Sequence, residues 1–288
     1  MSHGGPRPRP ATPADFPALE AIYVATDPPR PDEPMASAGW MARYLDFLFA
    51  RGEMLVEDGE SGPIGFAAVV DVGRAIHVAD LFVHPAQQGR GVGARLLRAA
   101  LGDRWPRMTF SSDDPRAMPL YIRTGMLPRW PNLYLDSKGR GIPAAPPSFS
   151  VRAVRPDEAS ATEVGFGGLD RLADYEHWAG QPGAQSFVVE EARRPVAVGN
   201  GRDRWRIPGR WIDRLIIDPS VDDVVGPVLA ALEFAASGQP ISIAIAGPHP
   251  AVRVLVEGGF QLYDKDTFMA SEDGLLDPLH HIVDPGVP

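Results

Sequence analysis

Residues 80–101 read DLFVHPAQQGRGVGARLLRAAL, and three patterns follow one another within them. An apolar run ends at Val83, a turn then holds glycine at three alternating positions, and a helix-favouring run continues over Ala94–Leu101. This order predicts a strand, a glycine turn and the start of a helix. Glycine lets the main chain approach a ligand closely, and the free N–H groups at a helix start attract anions. The stretch therefore predicts a site for a phosphate or pyrophosphate.

The spacing within the glycine turn distinguishes between kinds of phosphate site. A dinucleotide-binding turn needs Gly-x-Gly-x-x-Gly, and Ala94 stands where its last glycine belongs. A Walker loop needs Gly-Lys followed by Ser or Thr, and the turn lacks this. Gln88, Gly91 and Gly93 instead resemble the coenzyme A pyrophosphate loop of the GNAT superfamily of acyl-CoA-dependent N-acyltransferases. A glycine turn that binds no ligand is the alternative, and the surrounding elements decide between the two.

The elements predicted around the turn follow an order that supports the resemblance. Hydrophobic periodicity and turn signals predict the following elements: strand Arg7–Ala11, helix Ala14–Ala25, loop Asp27–Pro34, helix Met35–Ala50, strands Glu53–Glu57, Ile64–Val72 and Ala75–Val83, helix Ala94–Leu101, strand Arg107–Ser111, helix Pro115–Thr124 and strand Leu127–Leu135. This order is that of the GNAT superfamily. The resemblance implies an α/β (α+β) fold in which helices flank a mixed central sheet.

Composition limits the class of protein. A chain of 288 residues, 44% of them hydrophobic, can bury a core and is long enough for two domains. The absence of cysteine excludes disulfides, thiolate metal sites and a cysteine nucleophile, and we expect no metal. A net charge of −9 argues against general nucleic-acid binding and suits cationic substrates.

Targeting signals are missing from the sequence. The first residues lack the basic and apolar regions of a signal peptide, and no apolar run is long enough to span a membrane. We therefore expect a cytoplasmic protein without a membrane partner. The sequence leaves the oligomeric state open, a homodimer included.

The chain also repeats itself. The stretch Leu215-Ile216-Ile217-Asp218-Pro219 restates Leu81-Phe82-Val83-His84-Pro85 at an offset of 134 positions, and at the same offset Gly259 corresponds to Gly125. One offset that serves two separate landmarks predicts a duplicated domain. The predicted parts are a GNAT acetyltransferase domain at 1–136, a linker at 137–150 and a second, GNAT-like domain at 151–288.

The second copy has lost the residues that suit an anion. Asp222 and Asp223 replace a glutamine and a glycine of the first copy, and carboxylates repel a pyrophosphate. Pro227 removes one amide donor from the same turn. We therefore expect a degenerate copy that is a structural partner and walls the acceptor site. Binding of a different ligand there is the alternative.

The resemblance also implies which residues hold the acyl donor. In the family, the strand before the turn and the turn itself contact coenzyme A, and a main-chain N–H of that strand stabilises the oxyanion. By this resemblance the cofactor-binding residues for acetyl-CoA are Leu81, Phe82, Val83, Gln88, Gly89, Arg90, Gly91, Val92, Gly93 and Ala94.

Two side chains are predicted to transfer protons. A protonated amine needs a base before it can attack, and His77 stands where several family members carry glutamate or histidine. Asp80 is the second candidate, although regular strand alternation places it on the opposite face from His77. Tyr121, in Leu120-Tyr121-Ile122-Arg123-Thr124-Gly125-Met126, matches the family tyrosine that protonates the leaving sulfur. A packed strand histidine and a core tyrosine are the structural alternatives.

Two further groups of residues have structural interpretations. His280 and His281 are expected to form a solvated pair near the end of the chain, because no further metal ligands stand at a useful spacing. Trp205 and Trp211 lie in an arginine-rich stretch that predicts a strand hairpin.

Together these motifs predict an acetyl-CoA-dependent N-acetyltransferase with one working site, in the first domain. The predicted reaction is direct attack of a primary amine, on a small molecule or a peptide, at the thioester. A non-catalytic acyl-CoA binding or sensing protein, or an interaction protein, is the alternative. Release of the coenzyme A thiol with a panel of amines separates these hypotheses.

Overall fold

A computed structural model describes residues 7–28, 39–205 and 207–288. In this part of the chain thirteen strands form one continuous mixed sheet, with helices packed on both of its faces. Most of the loop predicted at residues 27–34 and the start of the helix predicted at 35–50 lie outside the described residues. None of the described helices is both long and apolar enough to cross a membrane.

The first half of the chain contains six strands and four helices within the described residues. In chain order they are β1 (Arg9–Pro10), α1 (Phe16–Thr26), α2 (Trp40–Arg51), β2 (Gly52–Gly59), β3 (Gly62–Asp71), β4 (Ile76–Val83), α3 (Val92–Leu101), β5 (Arg107–Ser111), α4 (Ala117–Ile122) and β6 (Leu127–Asp136). Apart from the start of α2, predicted at Met35 and observed at Trp40, their ends differ from the predicted ones by at most two residues.

The second half, described from β7 onward except for residue 206, repeats this order and adds a short last strand. Its elements are β7 (Phe149–Val154), α5 (Pro156–Gly165), α6 (Leu172–Ala179), β8 (Gln185–Glu191), β9 (Arg194–Asp203), β10 (Arg210–Ile217), α7 (Val225–Ala236), β11 (Ile241–Ala246), α8 (Ala251–Glu257), β12 (Gln261–Ala270) and β13 (His281–Val283). Strands β9 and β10 form the antiparallel hairpin that was predicted around Trp205 and Trp211.

The structure confirms the duplication and its offset. Strands β4 and β10 begin at residues 76 and 210, and strands β6 and β12 at 127 and 261, so each pair is 134 positions apart. The parallel ladders match as well, because Ile76 pairs with Arg107 in the first half and Arg210 with Ile241 in the second. Even a bulge recurs, at Ala79 in β4 and at Asp213 in β10.

The two halves exchange their long C-terminal strands. Strand β12 lies between β5 and β6, and β6 in turn pairs with β11 of the second half. A shared core supports this arrangement: Leu45 and Phe66 of the first half belong to the same buried cluster as Tyr175 and Trp178 of the second. The sheet therefore runs unbroken from one half into the other.

Near the end of the chain, the prediction of a solvated histidine pair is wrong. His281 opens β13, which pairs with β10 at Arg214, Leu215 and Ile216. Burial lowers the pKa of His281 to about 4. The sequence alone gave no reason to join two segments some sixty positions apart, which is why a tail was predicted.

Candidate active site

A cavity of about 1140 Å³ opens where β4 and β5 separate. The two strands pair only from Ile76 to Val78 on β4, and β4 continues beyond this ladder for five more residues. The glycine turn and α4 line one side of the cavity, and residues of β9, β12 and the segment after β13 line the other. Both halves of the chain therefore contribute to one space.

The glycine turn has the geometry that an anion site requires. Gly89 and Gly91 adopt φ angles of +76° and +77°, in the left-handed region that glycine tolerates best, and α3 begins directly afterwards. The main-chain N–H groups of residues 89–94 donate to no acceptor among the described residues. Gln88 holds the turn in place, since its Nε2 donates to the Val83 carbonyl at 3.0 Å and its Oε1 accepts from Arg116 at 2.6 Å.

Nine of the ten predicted cofactor-binding residues line this cavity. The nine are Leu81, Phe82, Val83, Gln88, Gly89, Gly91, Val92, Gly93 and Ala94. Arg90 is outside the lining and donates to Gln87 Oε1 at 3.1 Å. Along Asp80–Phe82, one edge of β4 pairs with β3, and the edge toward β5 has no strand partner in the part of the chain that is described.

The bulge at Ala79 changes which residues share a face of β4. Val70 pairs with His77 and Ala68 with Asp80, so the step of two on β3 corresponds to a step of three on β4. His77 and Asp80 therefore lie on the same face of the sheet. The expectation from regular alternation, which placed them on opposite faces, is wrong.

His77 does not line the cavity. It is 0% exposed, and its Nε2–H donates to the carbonyl oxygen of Pro285 at 2.8 Å. Burial disfavours the imidazolium form and lowers the pKa of His77 to about 3. A base must reach its substrate, so the role predicted for His77 lacks the access that it needs.

Asp80 does line the cavity and is 8% exposed. Burial raises the pKa of Asp80 to about 7, and the negative charge of Asp284 adds to the effect. A hydrogen bond from the Tyr44 hydroxyl, at 3.4 Å, acts in the opposite direction. A carboxylate with this pKa can accept a proton near neutral pH and release it again.

Tyr121 reaches the cavity from α4 and is 6% exposed. Burial raises the pKa of its phenol to about 12, although a hydrogen bond with Thr109 lowers it in part. The phenol therefore keeps its proton at neutral pH and is available as a donor. Tyr121 also packs in the buried cluster beneath α3. It is therefore a core residue, as the structural alternative expected, as well as a residue of the cavity.

The residues that form the wall opposite the glycine turn were not predicted from the sequence. It includes Asp266 of β12 and Asp284 after β13, together with Trp205, which stacks on Trp40 with ring centroids 4.8 Å apart. Burial raises the pKa of Asp266 to about 6. Trp40 lines the cavity and also belongs to the buried cluster that the two halves share. The strand exchange brings Asp266 here, and no local motif signals that exchange.

One known family matches the region that contains the glycine turn. Residues 50–125 match the acetyltransferase (GNAT) domain family. Over 86 residues the chain is 41% identical to the mycothiol acetyltransferase of Amycolatopsis mediterranei (strain U-32). That match spans 27% of this chain and 27% of the relative.

Two solved structures share the architecture over nearly the whole chain. A protein from Pyrococcus horikoshii is 15% identical with a TM-score of 0.75, and the alignment covers 100% of this chain and 98% of that one. A tandem GNAT protein from the clavulanic acid biosynthesis pathway is 16% identical with a TM-score of 0.58, over 94% of this chain and 99% of that one. Residues 50–125 therefore match the acetyltransferase (GNAT) domain family, and the chain as a whole shares the fold of a tandem GNAT protein.

Proposed function

We propose that this protein is an acetyl-CoA-dependent N-acetyltransferase that acetylates a primary amine of a small molecule or a peptide. One observation carries the proposal: the unpaired amides of the glycine turn, the buried carboxylate of Asp80 and the phenol of Tyr121 all border one cavity. Acetyl-CoA, when bound, supplies an activated thioester carbonyl.

In this proposal the first half holds the acyl donor. The N–H groups of residues 89–94 bind the pyrophosphate, because each is unpaired and the start of α3 adds the positive end of the helix dipole. The open edge of β4 along Leu81, Phe82 and Val83 accommodates the arm of coenzyme A. A main-chain N–H of the same edge stabilises the oxyanion that forms when the amine attacks.

Asp80 takes the base role that was predicted for His77, and Tyr121 keeps the acid role. The protonated amine first gives one proton to the carboxylate of Asp80, which passes it to solvent. The free nitrogen then forms a bond to the carbonyl carbon and gives its second proton to Asp80. The carbon–sulfur bond breaks, and the phenolic proton of Tyr121 goes to the leaving sulfur. The proton held by Asp80 afterwards returns the phenol to its starting state through solvent, so the net products are the amide, the free thiol and one proton.

The division of labour between the halves is also a proposal. Residues 1–136 form the catalytic domain, residues 137–150 the linker, and residues 151–288 a degenerate domain that walls the acceptor site. Trp205, Asp266 and Asp284 support this, because they line the cavity from the second half. We place the reaction in the cytoplasm, where acetyl-CoA is available.

Thiol release with a panel of primary amines tests the proposed function. We expect release that depends on the amine and equals the amide formed. Tyr121→Phe should keep its affinity for coenzyme A and lose about 10²-fold or more in kcat. The loss should shrink with a donor whose thiol is more acidic, because that thiolate leaves without a proton.

The other outcomes separate the alternatives. Binding of coenzyme A without turnover of any amine favours the sensing protein. Absence of binding in calorimetry contradicts both the enzyme and the sensor. A Tyr121→Phe variant with unchanged kcat at saturating amine removes Tyr121 as the acid and leaves the reaction itself standing.

A further inference from the structure

In the second half, the C-terminal segment, residues 281–286, occupies the place that lies open in the first half. Its strand β13 pairs with β10 at Arg214–Ile216, the positions that correspond to Asp80–Phe82 at the offset of 134. The other edge of β10 pairs with β9, so β13 lies on the side where β11 has separated. The equivalent edge of β4 is the one that faces the cavity.

The same segment then crosses toward the first half. The N–H of Asp284 donates to the Asp213 carbonyl at 2.7 Å, and the carbonyl of Pro285 accepts from His77 at 2.8 Å. Arg171 holds the following residues, since its Nη2 donates to the Pro288 carbonyl at 2.6 Å. This gives the buried His77 a function: it anchors the segment to β4.

Asp284 enters the cavity as a result. Its side chain is 18% exposed and is oriented by the Trp211 indole N–H at 2.9 Å and by the N–H of Gly286 at 2.9 Å. The cation that contacts it among the described residues is Arg202, which lies 3.8 Å away and is already hydrogen bonded to Asp213 at 2.7 Å. The Asp284 carboxylate therefore faces the cavity with its charge only partly balanced.

We propose that the C-terminal segment is a resident occupant of the cleft in the second half, and that Asp284 on it is a specificity-determining residue for a cationic amine acceptor in the first half. The part that concerns the acceptor rests on the proposed function. The part that concerns the occupant does not.

The charge of Asp284 also acts on the base. Among the described residues, the titratable groups that face Asp80 are Tyr44 from α2, Tyr121 from α4 and Asp284 from the C-terminal segment. Of these, only Asp284 is a carboxyl group, and its negative charge raises the pKa of Asp80. Removal of that charge should move the acidic limb of the pH–rate profile to lower pH.

Steady-state kinetics of Asp284→Asn tests the acceptor role. We expect KM for an alkylamine to rise about tenfold, because one attractive charge in the cavity is lost. KM for acetyl-CoA should stay unchanged, and so should KM for an aromatic amine that is uncharged at pH 7. Asp284→Glu, which keeps the charge, should recover much of the loss. The control is Asp273→Asn, whose side chain is 91% exposed and outside the cavity.

Three results would each overturn the acceptor role: an unchanged KM for the alkylamine, equal rises in KM for the charged and uncharged amines, or an unmoved acidic limb in Asp284→Asn. If wild type turns over no amine, the proposed function has failed. The proposal that the C-terminal segment fills the second cleft is then tested by hydrogen exchange alone.

Hydrogen exchange of the wild-type chain tests the occupant without any assay of activity. We expect the amides of residues 281–283 to be protected relative to the loop at 272–275, and to stay protected at saturating coenzyme A. Rapid exchange at 281–283, or loss of protection when coenzyme A binds, would show that the segment is displaced and that the cleft is not permanently filled.

Discussion

The two halves of this chain share one fold but differ in the polar groups of their clefts. In the first half the amides at the start of α3 have no acceptor among the described residues. In the second half the carboxylate of Asp223 accepts from the N–H groups of Val225 and Gly226, at 2.9 and 3.0 Å. The second half thus provides from its own sequence the negative charge that a ligand would bring to the first.

The second half has also replaced the residues that correspond to the proposed base and acid. Arg214 stands at the position of Asp80 and forms a buried ion pair with Glu163 at 2.6 Å. Leu255, which is 0% exposed, stands at the position of Tyr121. The comparison teaches that the first half keeps buried titratable groups at the cavity with no ion pair among the described residues, where the second half has an internal ion pair and an apolar side chain. Such groups are expected at a functional site.

The largest effect that we predict from this comparison is on catalysis. Asp80→Asn removes the only buried carboxylate that the proposal uses as a base, so kcat/KM should fall by about 10²- to 10⁴-fold. Affinity for coenzyme A should remain, because the glycine turn is untouched. Thiol release and calorimetry measure the two quantities.

His77→Gln is the matched control, because His77 was the first candidate for the base and lies on the same face of β4. We expect it to lose less than about tenfold, through a looser C-terminal segment. If His77→Gln lost as much as Asp80→Asn while the fold stayed intact, the assignment of the base to Asp80 would be wrong.

The second prediction concerns stability, because loss of a carboxylate at the site of Arg214 and at the corresponding site of Asp80 should have opposite effects. Glu163→Gln leaves Arg214 buried without its partner, so the free energy of unfolding should fall by about 3–5 kcal/mol. Asp80→Asn removes a carboxylate whose burial is unfavourable, and unfolding at pH 8 should become harder by up to about 4 kcal/mol. Urea denaturation measures both.

The pH dependence of these effects follows from the direction of each pKa shift. The folded pKa of Asp80, about 7, lies above its unfolded value of about 3.9, so wild type loses stability as the pH rises through that window. Although burial opposes it, Arg214 holds the pKa of Glu163 below its usual range, so this pair stabilises the fold above about pH 4.3 and fails in acid. The difference of Asp80→Asn from wild type should vanish near pH 4, whereas that of Glu163→Gln should vanish only at lower pH, once Glu163 is protonated in the folded state. A destabilised Asp80→Asn at pH 8 would break the comparison.

Features that depend on local interactions were predictable from the sequence, and features that depend on contacts between distant segments were not. The element order, the glycine turn and the offset of 134 were predictable because each was inferred from short stretches of neighbouring residues. The bulge at Ala79 was not, since neither glycine nor proline marks it. Asp266 and Asp284 were missed because strand exchange and the pairing of β13 bring them to the cavity. Their position depends on contacts between distant segments.

The third prediction makes the glycine turn of the first half resemble that of the second. Gln88→Asp combined with Gly89→Asp places two carboxylates where the second half has Asp222 and Asp223. We expect the Kd for coenzyme A to rise about tenfold to a hundredfold, because like charges meet and Gly89 also needs its positive φ. Calorimetry at two salt concentrations should show a smaller penalty at high salt.

Gly141→Asp is the control for this variant, since an added Cβ meets no atom within 4 Å there. It should leave the Kd unchanged. Equal weakening by the control and the double variant would mean that net charge, rather than the turn, determines binding.

The smallest predicted effect tests what the halves still share. Gly125 and Gly259 follow α4 and α8 with φ angles of +89° and +96°, and the next residue closes each helix through an N–H to Tyr121 or Leu255. Alanine at either position should lower the free energy of unfolding by about 1–2 kcal/mol, because a side chain strains the left-handed backbone. Only Gly125→Ala should also reduce kcat, since its helix carries Tyr121. Equal losses of stability with unequal losses of activity would show that the second half has kept the geometry of the cleft after losing its chemistry. An unchanged free energy of unfolding in Gly259→Ala would mean that the second half no longer requires this backbone geometry.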